Sequence, residues 1–229
     1  MPLPNKTLEK NYKGKTSSSV IFYTVKRWIV TGQLKPNEKL DDMEFANYFS
    51  VSRTPIRDAF KLLESKNLII SSQGRGTAVT DLQLNNVKDI YIPLIGLQNL
   101  VFTNELIEFE NEELNKLKFI NDEFEKSIHK KDTSNILALD YKFHKFLIKQ
   151  CKNSYIIEFC DTLFDHAYRL EYLFFSNTLD LSESHSEHNE IIKALERKDM
   201  YSASILVKKH WERTVHVLNT VIAKQNRLL

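Results

Sequence analysis

Apolar residues recur three and four positions apart along most of the chain, and the places where that rhythm stops mark its elements. In SSSVIFYTVKRWIVTG, Ile21, Val25, Trp28 and Ile29 share one helical face, a serine stands ready as cap, and Gly32 falls just past the end. LDDMEFANYF predicts a second helix. Aspartates occupy its first turn, where the helix dipole favours negative charge, and Met43, Ala46 and Phe49 form its apolar stripe. A tight turn through Phe49, Ser50 and Val51 leads to a third helix running to about Asn67. Ser52 is placed to cap it, and Pro55 lies in its first turn, where a missing N–H is harmless. NLIISSQGRGTAVT then gives two short β-prone runs around a Gly-Arg-Gly turn.

Past residue 80 the pattern changes. Gly14, Gly32, Gly74 and Gly76 precede that point, whereas the remainder holds only Gly96 and Pro93, a scarcity of turn-formers that predicts long helices. Six are expected, near residues 84–106, 111–130, 133–150, 154–177, 183–197 and 199–225. The fold class is therefore mainly α, an N-terminal helix-turn-helix with a hairpin followed by an all-α bundle of about six helices. The expected organisation is a flexible tail over 1–16, a helix-turn-helix and hairpin domain over 17–80, and a helical domain over 81–229.

Charge sharpens this division. The formal net charge of +2 conceals a front of 13 Lys/Arg against 7 Asp/Glu through residue 80 and a back of 19 against 23. A basic front module prefers a polyanion, and nucleic acid is the commonest one. No apolar run approaches the roughly 20 residues that span a bilayer. The polar amino terminus lacks the apolar centre of a signal peptide, and a cytoplasmic protein without membrane partners is expected. Cys151 and Cys160 form no CxxC pair and read as free thiols.

The third helix carries the first candidate chemistry. Ile56, Ala59, Phe60 and Leu63 share one face, while Arg53, Thr54, Arg57 and Lys61 project from another. A short helix reached by a tight turn, with donors in its first two turns, is how a helix-turn-helix enters the major groove. An arginine fork bonds guanine O6 and N7 together, and Ser52, Thr54 and the helix amino terminus suit phosphate or a thymine methyl. Arg75 at the hairpin tip would reach an adjacent backbone or the minor groove. An isolated basic pair four apart ordinarily just solvates a face; the turn, the cap and the glycine-flanked hairpin around this one argue for DNA.

The stretch GQLKPNEKLDDMEFANYFSVSRTPIRDAFKLLESKNLIISSQGRGTAV resembles the winged helix-turn-helix of the GntR transcription regulators, most specifically through SVSRTPIRDAFKLLE. Two departures stand out. Asn37 follows the proline where glycine is common, and Met43 stands where some members place a DNA-contacting arginine. A single recognition helix contacts few base pairs, so a homodimer on a pseudo-palindromic double-stranded operator is expected, with leucine-rich and aromatic segments such as LEYLFF supplying the dimer contact.

The helical half carries the second. TSNILALDYKFHKFLIKQ places Asp140 and His144 on a stripe with Ile136, Phe143 and Leu147. His188 lies with Ile191, Ile192 and Leu195, and His210 with Ala203, Leu206, Thr214 and Val217. His129, His185 and His216 fall on polar or peripheral faces and read as surface residues. An Asp/His pair four apart can bond to itself, but four inward ligand-type groups favour a divalent metal. Zinc comes first, with nickel or manganese as alternatives.

This half resembles the FCD ligand domain of the FadR branch, whose metal-binding members show an Asp-x-x-x-His pair and then one histidine on each of two later helices. That resemblance implies a metal at the floor of an effector pocket that holds a small carboxylate, such as an organic or sugar acid. Where many members carry arginine and glutamate, IYIPLIGLQNL offers Leu94 and Gln98, with Pro93 and Gly96 expected to kink the helix. His166 and Arg169, placed inward with Phe159, Leu170 and Leu173, are replacement candidates for gripping an anion, or a core residue and a snorkelling arginine. The expected protein is a ligand-responsive transcription regulator, a repressor and not an enzyme. The rival readings are a direct metal sensor and a metal-dependent hydrolase.

Overall fold

The computed structural model describes residues 3, 17–72, 74, 76–82, 87–104, 106–175 and 182–226. The chain divides into two compact units, Met1–Leu82 and Gln83–Leu229.

In the first unit the order is α1 (Ser18–Val30), β1 (Lys39–Leu40), α2 (Asp42–Phe49), α3 (Arg53–Ser65), β2 (Ile69–Ser72) and β3 (Gly76–Val79). The hydroxyl of Ser17 accepts from the Val20 amide to cap α1, and Asp41 caps α2 through the amides of Met43 and Glu44. The core is aromatic: Trp28 of α1 stacks on Phe49 at 5.8 Å, and Phe45 meets Phe60 of α3 edge-on at 5.3 Å. The apolar stripe of α2 is thus Phe45, Ala46 and Phe49, and Met43 is 56 % exposed. Met43 lies nearly opposite Phe45 on the helix, and the larger ring takes the core.

Ser50 turns the chain from α2 to α3 in the left-handed region, φ 58°. Ser52 is the N-cap residue of α3, but its side chain makes no capping hydrogen bond. The helix ends at Ser65, two residues short of expectation, as Asn67 turns left-handed and the Leu68 amide reaches back to the Leu63 carbonyl. β3 pairs antiparallel with both β2 and β1. β1 was not foreseen, because two residues show no period. Asn37 adopts φ 65° while its amide bonds to the Val79 carbonyl, so it supplies the left-handed turn that glycine would otherwise give.

The second unit holds α4 (Val87–Thr103), α5 (Asn111–Lys130), α6 (Thr133–Lys149), α7 (Ser154–Phe175), α8 (Ser182–Glu196) and α9 (Met200–Asn226). α4 packs on α7 and α9, α5 on α6 and α8, and α8 on α9. α4 remains one helix through Pro93 and Gly96. Two predicted stripes are rotated. On α9, Val207, Trp211 and Leu218 are buried while Leu206 and Val217 are half-buried, because the bulky Trp211 takes the interior. On α7, Ile156, Cys160, Phe164 and Tyr168 face inward, leaving Phe159 61 % exposed and Leu173 partly exposed. Both cysteines are free and buried. Among the described residues no helix is long and apolar enough to cross a membrane.

Candidate functional site

α3 presents Arg53, Thr54, Arg57 and Lys61 to solvent over the buried Ile56, Ala59, Phe60 and Leu63, and exposed Ser52 precedes them. The two arginines converge on one carboxylate of the neighbouring helix. Arg53 Nη2 donates to both Asp42 oxygens at 2.8 Å, and Arg57 Nε donates to Asp42 Oδ2 at 2.9 Å. The Arg53 hydrogen bond, working against partial burial, holds the Asp42 carboxyl below its ordinary range. Gly74 and Gly76 both have positive φ at the hairpin turn. Arg75 between them lies outside the described residues.

In the second unit, Asp140 and His144 of α6, His188 of α8 and His210 of α9 are all buried. One ligand atom from each lies within 4.8 Å of every other. His144 Nε2 is 2.9 Å from His210 Nε2 and 3.2 Å from His188 Nε2, while Asp140 Oδ1 is 3.4 Å from His188 Nε2. Helical spacing puts Asp140 and His144 on one face, and the packing of α8 and α9 brings the other two rings to it.

The outer nitrogens decide the tautomers. Asn121 donates its Nδ2 to the His185 carbonyl and to Asn189 Oδ1, so its oxygen accepts from His188 Nδ1 at 3.1 Å. The Glu187 carboxylate accepts from His210 Nδ1 at 2.8 Å. Both rings, when neutral, therefore turn an Nε2 lone pair toward His144. Burial drives the His144 and His188 pKa values well below the ordinary imidazole value, so those rings are neutral. The Asp140 carboxyl is pushed up by burial, against the attraction of His210 and Arg213.

Such a set is costly without a cation and natural around one. Ligand atoms at about 2.0–2.1 Å from a first-row ion lie about 2.9–3.4 Å from each other, the range of the His144–His210, His144–His188 and Asp140–His188 separations, while Asp140 Oδ2 is 3.9 Å from His144 Nε2. Outer acceptors on His188 and His210 are the supports that metal-bound imidazoles require. His144 Nδ1 has no hydrogen-bond partner among the described residues.

The sequence reading missed those supports. Glu187 also takes three hydrogen bonds from Arg213, and Arg213 Nη2 donates to Ser184. Desolvation opposes its charge, yet the bonds from His210 and Arg213 hold the Glu187 carboxyl at about 2. Adjacency to His188 was the only signal, and it does not reveal that Glu187 serves the histidine of another helix.

Of the expected pocket residues, Leu94 and Gln98 are fully buried on α4, and Arg169 is buried on α7. His166 is only half-buried, because the α7 stripe is rotated away from it. Both amide atoms of Gln98 lack partners among the described residues. Tyr91 donates to buried Glu171 at 2.7 Å, and burial pushes that carboxyl up to about 8. His129 and His216 are exposed as expected, whereas His185 is half-buried and bonds Asn189 at 3.0 Å.

Residues 18–79 match the family of bacterial regulatory proteins called gntR, and residues 108–213 match the FCD domain. An uncharacterized HTH-type transcriptional regulator, YdhC of Bacillus subtilis (strain 168), is 30% identical over 209 residues, 88% of this chain and 91% of YdhC. The gluconate operon transcriptional repressor of the same organism is 32% identical over 144 residues, 62% of this chain and 58% of the repressor. Among solved structures, E. coli McbR/YncC has the same fold, with a TM-score of 0.80 at 16% identity, covering 90% of this chain and 98% of its own.

Proposed function

The chain belongs to the GntR family of DNA-binding transcription regulators, and within it we propose a metal-containing repressor that binds operator DNA as a homodimer and responds to a small hydroxylated carboxylate. The reading is carried by the convergence of three imidazole Nε2 atoms and one carboxylate in a buried space, with two of the rings fixed so that their lone pairs face inward. Zinc suits this N3O set, with nickel or manganese as alternatives, and the ion would hold Asp140 ionised and supply a Lewis-acidic position for a ligand oxygen.

Gln98 supports the effector class. A buried amide with neither donor nor acceptor engaged is costly unless a ligand hydroxyl meets it, while an effector carboxylate would take the metal. A sugar acid combines both groups, and the Bacillus subtilis relative that is 32% identical over 144 residues is named a gluconate operon transcriptional repressor. The DNA-reading set is Ser52, Arg53, Thr54, Arg57 and Lys61 on or beside α3, with Arg75 as an unplaced addition. For the dimer, LEYLFF turns Leu170, Glu171 and Phe175 inward, so exposed Ile92 and Leu100 of α4 and Ile205 of α9 make the better contact. Asp140 belongs to the ligand set and is not free as a general base, which disfavours a hydrolase.

The test uses a duplex selected from a random-sequence library by the zinc-loaded protein. Titration of gluconate or a related sugar acid should shift its affinity at least tenfold. A response to zinc alone, with no sugar acid or simple carboxylate altering affinity, would replace the effector reading with direct metal sensing.

A further inference from the structure

The Asp42 clamp assigns different tasks to the two arginines of α3. A guanidinium offers two forks to a planar acceptor pair, Nη1 with Nη2 and Nε with Nη2. Arg53 commits Nη2, the nitrogen common to both forks, to Asp42. Arg57 commits only Nε, and its Nη1 and Nη2 make no hydrogen bond among the described residues. The end-on fork of Arg57 is therefore intact and that of Arg53 is spent.

Asp42 is free for this role because Asp41 caps α2 in its place. The carboxylate is the more sheltered partner, with 21 % of its side chain exposed against 52 % for Arg53 and 59 % for Arg57. It also holds down the mobility of two long side chains that would otherwise lose rotamer freedom on meeting DNA.

We propose that Asp42 is a specificity-determining positioning residue: it presents Arg57 end-on to a guanine and restricts Arg53 to single-acceptor contact with the phosphate backbone. The inference rests on the reading that α3 enters the major groove. Asp42 also places a negative charge beside the duplex, which weakens binding to any sequence. Selectivity is thus obtained at the expense of affinity for arbitrary DNA.

The experiment compares full-length wild-type protein with Asp42→Asn, Asp42→Glu, Arg57→Ala and Arg53→Ala, each first checked for unchanged helical circular dichroism. Sequence selection from a random duplex library is followed by salt titration on the selected duplex and on a scrambled one. Asp42→Asn should lose the guanine preference that Arg57→Ala also loses, at the same position of each half-site. It should bind the scrambled duplex more tightly, with its salt slope steeper by about one. Asp42→Glu should restore part of the preference, and Arg53→Ala should weaken both duplexes alike. An Asp42→Asn protein that selects the wild-type sequence with undiminished discrimination overturns the proposal while leaving the α3 reading intact. Wild-type affinity in both arginine variants overturns the α3 reading itself, and the proposal with it.

Discussion

Both units gather a carboxylate among cationic or ligand-type nitrogens, and they do so under opposite dielectric conditions. Between α2 and α3 one carboxylate binds two exposed guanidiniums, water screens the charges, and the Asp42 carboxyl is held below its ordinary range. In the helical bundle Asp140 meets three imidazoles in a buried cluster, and burial raises its pKa instead of lowering it. The exposed cluster is self-sufficient and orients side chains for a polyanion. The buried one is electrostatically incomplete, which is what makes it a candidate site.

The contrast is most easily broken at the buried set. His188→Ala or His210→Ala should reduce bound metal from about one ion per chain to background by elemental analysis. A stoichiometric ion retained in both variants would mean that the four groups do not share it. Next in size, Arg57→Ala should weaken binding to the selected duplex about 10- to 100-fold with the helical signal unchanged, in keeping with loss of a bidentate base contact. Glu187→Gln should weaken zinc binding by a comparable 10- to 100-fold, read by competition with a chromophoric chelator, because His210 loses its charged acceptor.

A different readout separates the interior from the surface by pH. The Glu171 carboxyl is raised to about 8 by burial, so between its unfolded value near 4.5 and that value the folded chain holds a proton the unfolded chain releases. Its contribution is fully present below 4.5 and falls as pH rises through the window. Thermal melts of metal-free protein should show wild type losing ground to Glu171→Gln from pH 5 to 8; parallel curves would remove the assignment. The smallest effect belongs to Arg53→Ala, which should flatten the salt dependence of duplex binding by about one unit of slope.

Helical period and turn chemistry made the fold legible, down to the six helices of the second unit and the register of Asp140 with His144. Phase was less legible than period. Met43, Leu206, Val217 and Phe159 were assigned inward by spacing that several adjacent stripes satisfy, and the choice among them is made by the bulk of Phe45 and Trp211 packing across helices. The buried Asp/His cluster was legible because its members break the apolar pattern of their own helices. Asn121 also breaks its pattern, on the stripe of α5 with Leu114, Leu117 and Phe124, and went unread; Glu187 and Arg213 do not break theirs, and their roles follow from inter-helix contacts that a single chain's rhythm does not encode. Asp42 was read as a helix-dipole charge, since its reach to α3 depends on the angle at Ser50.

Of the three rings around Asp140, only His144 lacks an outer acceptor on Nδ1 among the described residues. His188 and His210 are moored by Asn121 and Glu187, so turning either of them breaks an outer bond, whereas no such bond fixes the Nδ1 side of His144 among the described residues. Departure of the ion should therefore begin with that ring letting go, making His144 the residue that governs exchange lifetime even where its neighbours govern equilibrium occupancy.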